Sequence, residues 1–476
     1  MDWIVLLPPL VAISLALWTR QVFLSLVAGL WIGTTILAGG NPITGLRGMA
    51  DVVVGVFGDA SNTRIVLFSL LVGGLIALVQ VSGGVAAFVV WVQRRGWGRT
   101  RRRAEVLAWL VGMLIFVESS ITSLIVGTLS RPVFDDLKLP REKLAYYCDA
   151  TSAPVCMSIP LNGWGAFVLG LLAVQGFSEG AVGLLATSLV FNFFGLLAIA
   201  FALLLALTGW GFGPMRTAER RAAGEGHLTR PGSKPMISDD IVGIEPVRPG
   251  AGRMTDLMIP VGVMIAMIFV SLYVTGGGNI MEGSGSTSVL WAVGTGIGVA
   301  MLLYALPRPL QGGKPLLTPM EATDWVVKGA SGLVGVVALL VLAFALGQVS
   351  RDLEMGPYIV GLIGDGVQAW WLPALVFVVG CITSFTLGSS WTCFAILIPL
   401  AMPLAEGLGL SLPLMLGAVL SGGVFGDHAS PLSDTSIISS MSAACDHVDH
   451  VNTQLPYSLL LAGLSFVAFL AAGLVM

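Results

Sequence analysis

The chain reads as an all-α polytopic membrane protein, an inverted repeat with five transmembrane helices and one re-entrant hairpin in each half. Three observations lead there. The first is composition: of 476 residues, 55% are hydrophobic and 11% charged, and the mean hydropathy is +0.89. A soluble domain carries about 25% charged residues, so a soluble reading leaves most of these apolar runs without a polar face. The second is a pair of similar polar breaks. Phe116-Val117-Glu118-Ser119-Ser120-Ile121-Thr122, followed by Asp149-Ala150-Thr151-Ser152-Ala153-Pro154, has a counterpart later in the chain. That counterpart is Phe385-Thr386-Leu387-Gly388-Ser389-Ser390-Trp391-Thr392, followed by Gly426-Asp427-His428-Ala429-Ser430-Pro431. The third is the one-sided distribution of Lys and Arg.

Apolar stretches of about 17–25 residues predict spanning helices. They lie at 3–18, 21–38, 65–80, 145–174, 181–207, 257–274, 288–306, 332–347, 412–440 and 456–476. The opening Met1-Asp2-Trp3 lacks the basic flank of a secretory signal, so 3–18 is read as a span. Two stretches, 104–134 and 369–406, are too long for one crossing and carry a polar break near the middle. They are read as hairpins that enter and leave on the same side. Cytoplasmic loops collect basic residues. With the hairpins counted as non-crossing, one side receives Arg20, the Arg94–Arg103 cluster, Arg131 to Lys143, the 208–256 segment, Arg308, Lys314 and Lys328. The other receives only Arg47, Arg64 and Arg351. Both termini then lie outside the cytoplasm. Val85 to Gln93 and 349–366 are too short to span and are expected as amphipathic arms on the membrane surface.

The domain plan follows. Residues 1–207 form an N-terminal repeat with hairpin 104–134 and broken helix 145–174. Residues 208–256, rich in Gly, Pro and charge, form a flexible cytoplasmic linker. Residues 257–476 form a C-terminal repeat with hairpin 369–406 and broken helix 412–440. Five crossings per half make the second half start on the opposite side from the first, which is inverted topology. Ser119, Ser120 and Thr122 match Ser389, Ser390 and Thr392 at a constant offset of 270 residues.

Polar residues that interrupt helices at membrane depth persist where they line a cavity. Paired interruptions point to the midplane site of a secondary transporter. The hairpin tips offer hydroxyls from Ser119, Ser120, Thr122, Ser389, Ser390 and Thr392, and Gly388 permits close backbone approach. The following breaks add Thr151, Ser152, Ser430 and Thr435. Glu118, Asp149, Asp427 and Asp434 are carboxylates at or beside breaks in apolar surroundings, where each must pair, bind a cation or take a proton. Na+ is expected at Asp149 and Asp427 with Ser120 and Ser390. Asp434 with Thr435 and Ser436 reads alternatively as a helix N-cap. His428 either tunes Asp427 or is a structural donor.

The run Cys445-Asp446-His447-Val448-Asp449-His450 holds two His and two Asp, but not at HExxH spacing. Packing, gating or pH sensing suits it better than a metal. The five cysteines form no CxxC pair and read as buried thiols. No GxxxxGK[ST] motif is present, so the driving force is an ion gradient, and no cofactor beyond Na+ is implied. A net charge of -3 says nothing about nucleic acid, and no nucleic-acid partner is expected. No nucleophile–base pairing supports an enzyme.

Gly426-Asp427-His428-Ala429-Ser430-Pro431-Leu432-Ser433-Asp434-Thr435 and Cys445-Asp446-His447-Val448-Asp449-His450-Val451-Asn452-Thr453-Gln454-Leu455-Pro456-Tyr457 closely resemble the NhaC-type Na+/H+ antiporter family, within the wider ion transporter superfamily. Ser123-Leu124-Ile125-Val126-Gly127, Arg131-Pro132 and Arg141 to Tyr146 extend the likeness into the first half. The resemblance implies an antiporter of the bacterial inner membrane. It also implies a scaffold domain for homodimerisation and a transport domain on two hairpins that moves as an elevator. Family members often carry an Asp-Asp pair where this chain has Glu118-Ser119, which changes the site by one charge. The family includes exchangers and symporters of small organic solutes. The alternative reading is therefore Na+-coupled transport of an organic acid or amino acid, in a pocket shaped by Asn162, Trp164 and Trp391.

Overall fold

The computed structural model describes residues 3–19, 21–84, 87, 100–116, 118–177, 180–235, 247–248, 250–308, 314–354, 358 and 369–476. Its first helices are α1 (Leu7–Thr19), α2 (Val22–Leu37), α3 (Pro42–Val56) and α4 (Ala60–Val81). The polar breaks then divide the chain into α5 (Arg101–Leu114), α6 (Ser119–Asp136), α7 (Arg141–Ala150), α8 (Ala153–Ser158) and α9 (Gly163–Val174). Next come α10 (Ala181–Ser188), α11 (Phe193–Thr208), α12 (Gly213–Gly224), α13 (Thr255–Thr275), α14 (Gly285–Ala305), α15 (Pro319–Gly332) and α16 (Val334–Asp352). The C-terminal part holds α17 (Leu372–Leu387), α18 (Ser390–Gly407), α19 (Leu412–Ala429), α20 (Asp434–Ser442) and α21 (His447–Val475).

Among the described residues, seven helices are long and apolar enough to cross a membrane, or nine if each bent pair counts as one span. The expected ten crossings and two hairpins divide differently. Ala369–Leu387 and Ser390–Gly407, the arms of the second hairpin, each reach spanning length, at 19 and 18 residues. Trp3–Ala12 and Ala181–Phe191 are short apolar helices, and 181–207 is interrupted before Phe193, where the Asn192 side chain caps α11.

A helix at 42–56 was not expected, because Arg47 and Asp51 give it a polar face. Gly39 and Gly40, at φ +67° and +89°, turn the chain, and Asn41 then caps α3 through the amides of Ile43 and Thr44. The pair Phe23–Leu37 and Pro42–Val56 bends by 115°.

Helices from both parts of the chain pack together away from the breaks. Helix α4 lies against α14 and α15. Gly73 and Gly329 meet where each would drive a Cβ into the other's carbonyl, and Val326 packs on Gly74. Small residues let membrane helices approach this closely. Outward-facing Leu302 and Val467 are 72% and 61% exposed, an apolar surface suited to lipid.

The described part of the 208–256 segment includes a docked helix. Its helix α12 buries Met215, Ala218 and Ala222 on one face and aims Glu219 and Arg221 inward. Arg221 pairs with Glu142 at 2.8 Å, and Lys143 bridges Glu219 at 2.7 Å and Glu105 at 2.8 Å. Arg230 pairs with Asp449 at 2.9 Å. The small-residue stripe opposite a charged one is what makes this stretch dock as a helix. The expected surface arms at Val85 to Gln93 and 349–366 fall largely outside the described residues; Val349 to Asp352 end α16.

Candidate ion site at the helix breaks

Helices α17 and α18 fold back on each other and embrace α19. Their tip is closed by Gly388, which has φ +67° and stands against the Leu432 carbonyl, 2.6 Å from where a Cβ would sit. Ser389 caps α18 by accepting from the Thr392 amide at 3.4 Å. Ser390 then reaches Asp427, the third residue from the end of α19. Its hydroxyl donates to Asp427 Oδ2 at 2.7 Å, and its amide stands 3.3 Å from the same oxygen. On the other side of the carboxylate, Ser433 Oγ donates to Oδ1 at 2.5 Å and Thr435 Oγ1 at 3.1 Å. Asp427 is 2% exposed, and its partners are hydroxyls and an amide. Among the described residues it makes no ion pair with Lys or Arg.

The break at 430–433 is built from serines. Ser430 Oγ donates to the Phe385 carbonyl at 2.6 Å and tethers the hairpin arm. Ser433, not Asp434, is the N-cap of α20, accepting from the Thr435 amide at 3.2 Å. Asp434 is the first residue inside that helix, where the dipole favours its charge. Its Oδ1 accepts from the Thr435 amide at 2.9 Å, and the residue is exposed, within electrostatic reach of Asp427 and Glu118.

The first hairpin, α5 with α6, breaks at 115–118. Its free carbonyls are closed partly from within, by Thr122 on Ile115 O and Glu118 O, and partly from outside. Asn162 Nδ2 donates to Phe116 O at 2.7 Å, Cys156 O at 2.9 Å and Ile159 O at 3.1 Å. Asn162 Oδ1 meanwhile caps α9 through the Trp164 amide at 2.9 Å. Thr122 Oγ1 donates to Glu118 O at 2.8 Å, and Ser119 Oγ to Glu118 Oε1 at 3.3 Å. Ser120 is half-buried on the first turn of α6. Thr151 and Ser152 donate to backbone carbonyls, Tyr147 O and Asp149 O, both at 2.7 Å, and so close the break after α7. Trp391 packs on Trp164 and Phe167, with ring centroids 5.2 and 4.7 Å apart.

Asp149 is fully buried and has a different set of neighbours. Its Oδ2 accepts from Ser436 Oγ at 2.8 Å and Gln454 Nε2 at 2.7 Å, and His450 Nε2 stands at 3.2 Å. His428, next to Asp427 in sequence, faces Asp149: its Nδ1 lies 3.7 Å from Oδ1. Successive residues on a helix point about 100° apart, so the two side chains diverge. Ser436 lies between the Asp149 carboxylate and the backbone of Asp427, since its hydroxyl is also 3.5 Å from the Asp427 carbonyl oxygen.

Four residues at the two carboxylates were not singled out as site residues from the sequence: Ser433, Ser436, His450 and Gln454. A signal was present: His450 and Gln454 stand four apart on an apolar helix, hence on one face. The Asp446–His450 run divides. Asp446 caps α21, Asp449 takes Arg230, His447 turns to Ser440 and the Pro431 carbonyl, and only His450 enters the site. No group of three or more His, Cys, Asp or Glu placed to hold a metal ion occurs among the described residues. The five cysteines are buried free thiols.

Residues 160–474 match the Na+/H+ antiporter family, a stretch that includes the second hairpin, Asp427, Asp434 and α21. The chain belongs to this family. A Haemophilus influenzae protein described as uncharacterized is 33% identical over 98% of this chain and 90% of its own length. The malate-2H+/Na+-lactate antiporter of Bacillus subtilis is 36% identical over a shorter stretch, 19% of this chain and 20% of that protein. Among solved structures, the YdaH transporter of Alcanivorax borkumensis aligns over 90% of this chain and 88% of its own, with a TM-score of 0.57 and 15% identity. The fold is shared at that level. The chain is thus a multi-pass secondary transporter and not an enzyme.

Proposed function

We propose that the chain exchanges Na+ for H+ by alternating access, using its midplane carboxylates for competing Na+ and proton binding. The observation that carries this is the Asp427 cradle. A buried carboxylate without a basic partner is costly, and here three hydroxyls compensate it. A hydroxyl donates or accepts as needed. When a cation arrives, Ser390, Ser433 and Thr435 can turn their oxygen lone pairs toward it and form, with Asp427, an oxygen-rich shell. Asp434 is exposed and Glu118 half-buried, whereas Asp149 is fully buried.

The resemblance between the two broken hairpins supports an inverted repeat, with 1–207 and 257–476 as its halves. The basic-residue distribution supports termini outside the cytoplasm of a bacterial inner membrane. An elevator movement of the hairpin domain, on a scaffold that pairs into a homodimer, completes the proposal.

The test is charge movement and internal pH in vesicles with reconstituted protein. Asp427→Asn abolishes Na+-driven proton movement; retained exchange refutes the assignment. The similarity to an antiporter of malate and lactate keeps one rival. In that reading Na+ is the coupling ion, and an organic acid or amino acid occupies the space beside Asn162, Trp164 and Trp391. Na+-dependent uptake of a labelled solute, from a panel of small acids and amino acids, decides for the rival.

A further inference from the structure

A cavity of about 370 Å³ lies where the last turns of α3, α9 and α16 meet the first turn of α4. It is separate from the ion site. Helix α9 begins at Asn162 and Trp164, beside the first hairpin. It meets the cavity only at Ala173 and Val174, about 15 Å further along its axis. A volume of this size falls among small-molecule pockets, roughly 300–1,000 Å³.

The lining divides by chemistry. Val56, Val174 and Phe344 are buried and give an apolar wall. Gly55 and Asp59 are exposed and mark the mouth. Asp59 caps α4, accepting from the Asn62 amide at 2.9 Å. The Asn62 side chain lines the cavity, is 8% exposed and makes no hydrogen bond among the described residues. A buried amide without a partner is costly and marks a place where a polar ligand is missing. On α16, Phe344, Gln348 and Arg351 share one face. Arg351 donates to Gln348 Oε1, which leaves most of its fork uncommitted. It is half-buried and within electrostatic reach of Asp59, yet among the described residues it makes no ion pair. A cation and an anion therefore line one cavity without closing on each other.

We propose that this cavity binds a neutral α-amino acid with an apolar side chain. The carboxylate takes the free side of the Arg351 fork, a geometry that guanidinium matches in bidentate fashion. The ammonium goes to Asp59 and the Asn62 side-chain carbonyl. The side chain lies on Val56, Val174 and Phe344. Phe344 precedes Arg351 by about 10 Å of helix rise, so the apolar wall extends past the charged groups along α16. A simple carboxylate leaves Asp59 without a cation and adds a second negative charge. A simple amine does the reverse at Arg351. A zwitterion satisfies both and adds no net charge. A charged side chain finds no partner on the apolar wall. The site shares no residue with the Asp427 cradle, so the proposal stands apart from the antiport reading.

Gly55 supplies a direct probe. Val52, Gly55 and Val56 lie on one face of α3 and line the cavity. A Cβ at Gly55 meets no atom within 4 Å. A larger side chain there fills the cavity without a clash.

The test is titration calorimetry of the purified full-length protein with L-leucine. Isocaproate, which lacks the ammonium, and isoamylamine, which lacks the carboxylate, are the comparison ligands. L-leucine binds saturably, and each comparison ligand binds more weakly by about tenfold or more. Asp59→Asn keeps a capping side chain and weakens L-leucine by about tenfold, but not isocaproate. Arg351→Gln weakens L-leucine similarly, but not isoamylamine. Gly55→Leu melts like wild type and loses L-leucine binding. Absence of L-leucine binding to wild type overturns the proposal. So does isocaproate binding as tightly as L-leucine, the mark of a plain anion pocket. Undiminished L-leucine binding to Gly55→Leu also overturns it and places the amino acid elsewhere, as in the space beside Asn162, Trp164 and Trp391. If Gly55→Leu does not fold, Asp59→Asn decides: wild-type affinity for L-leucine in that variant overturns the proposal.

Discussion

The two hairpin tips carry nearly the same polar signature and turn differently. At the second, Gly388 turns the chain at positive φ, Ser389 caps the next helix, and Ser430, from the end of α19, ties the Phe385 carbonyl. The first has no glycine at its turn: Thr122 of its own α6 closes the Ile115 and Glu118 carbonyls, and Asn162 lends its amide to that of Phe116. Each tip borrows one side chain from outside the hairpin, so the difference lies in the turn itself, a left-handed glycine in one and side-chain bonds from the following helix in the other.

The comparison breaks most readily at Asn162. Asn162→Ala removes an amide whose two N–H groups are shared among three carbonyls, together with a helix cap, and costs about 3 kcal/mol. A fall in the melting temperature of the purified protein, with faster protease cleavage near 115–118, is the expected outcome. Asn162→Asp sharpens it: the cap acceptor remains while the donor is lost, so α9 stays intact and the hairpin tip alone loosens. Gly388→Ala comes next. A left-handed non-glycine residue costs about 1–2 kcal/mol, and the Cβ is forced against the Leu432 carbonyl. A weaker Na+ response accompanies the lower melting point, because the displaced tip carries Ser390 away from Asp427. Ser389→Ala is the smallest, about 1 kcal/mol for a lost N-cap, read as a modest melting shift with Na+ binding preserved. If Asn162→Ala melts like wild type while Gly388→Ala does not, the first tip is not held by the borrowed amide.

Much of this was legible in the sequence because membrane depth makes polar residues conspicuous. The breaks near 116–122, 149–154, 385–392 and 426–431 announced themselves against apolar runs, and Ser390 does meet Asp427. Partnerships across long separations were not legible. His450 and Gln454 reach Asp149 from about three hundred residues away, and no local pattern encodes that. His428 was associated with Asp427 by adjacency, but helical geometry turns it to Asp149. Asp434 competed with Ser433 for the capping role, and the shorter hydroxyl side chain took it. Helix α3 was hidden by its charged face, and α12 by a composition that resembled linker until its small residues found a surface to bury.

The contact of Gly73 with Gly329 carries a consequence for motion. Two backbones in direct touch leave no side chains to slide over one another, so α4 and α15 are riveted at that crossing. A bulky residue placed at either glycine would force these two helices apart.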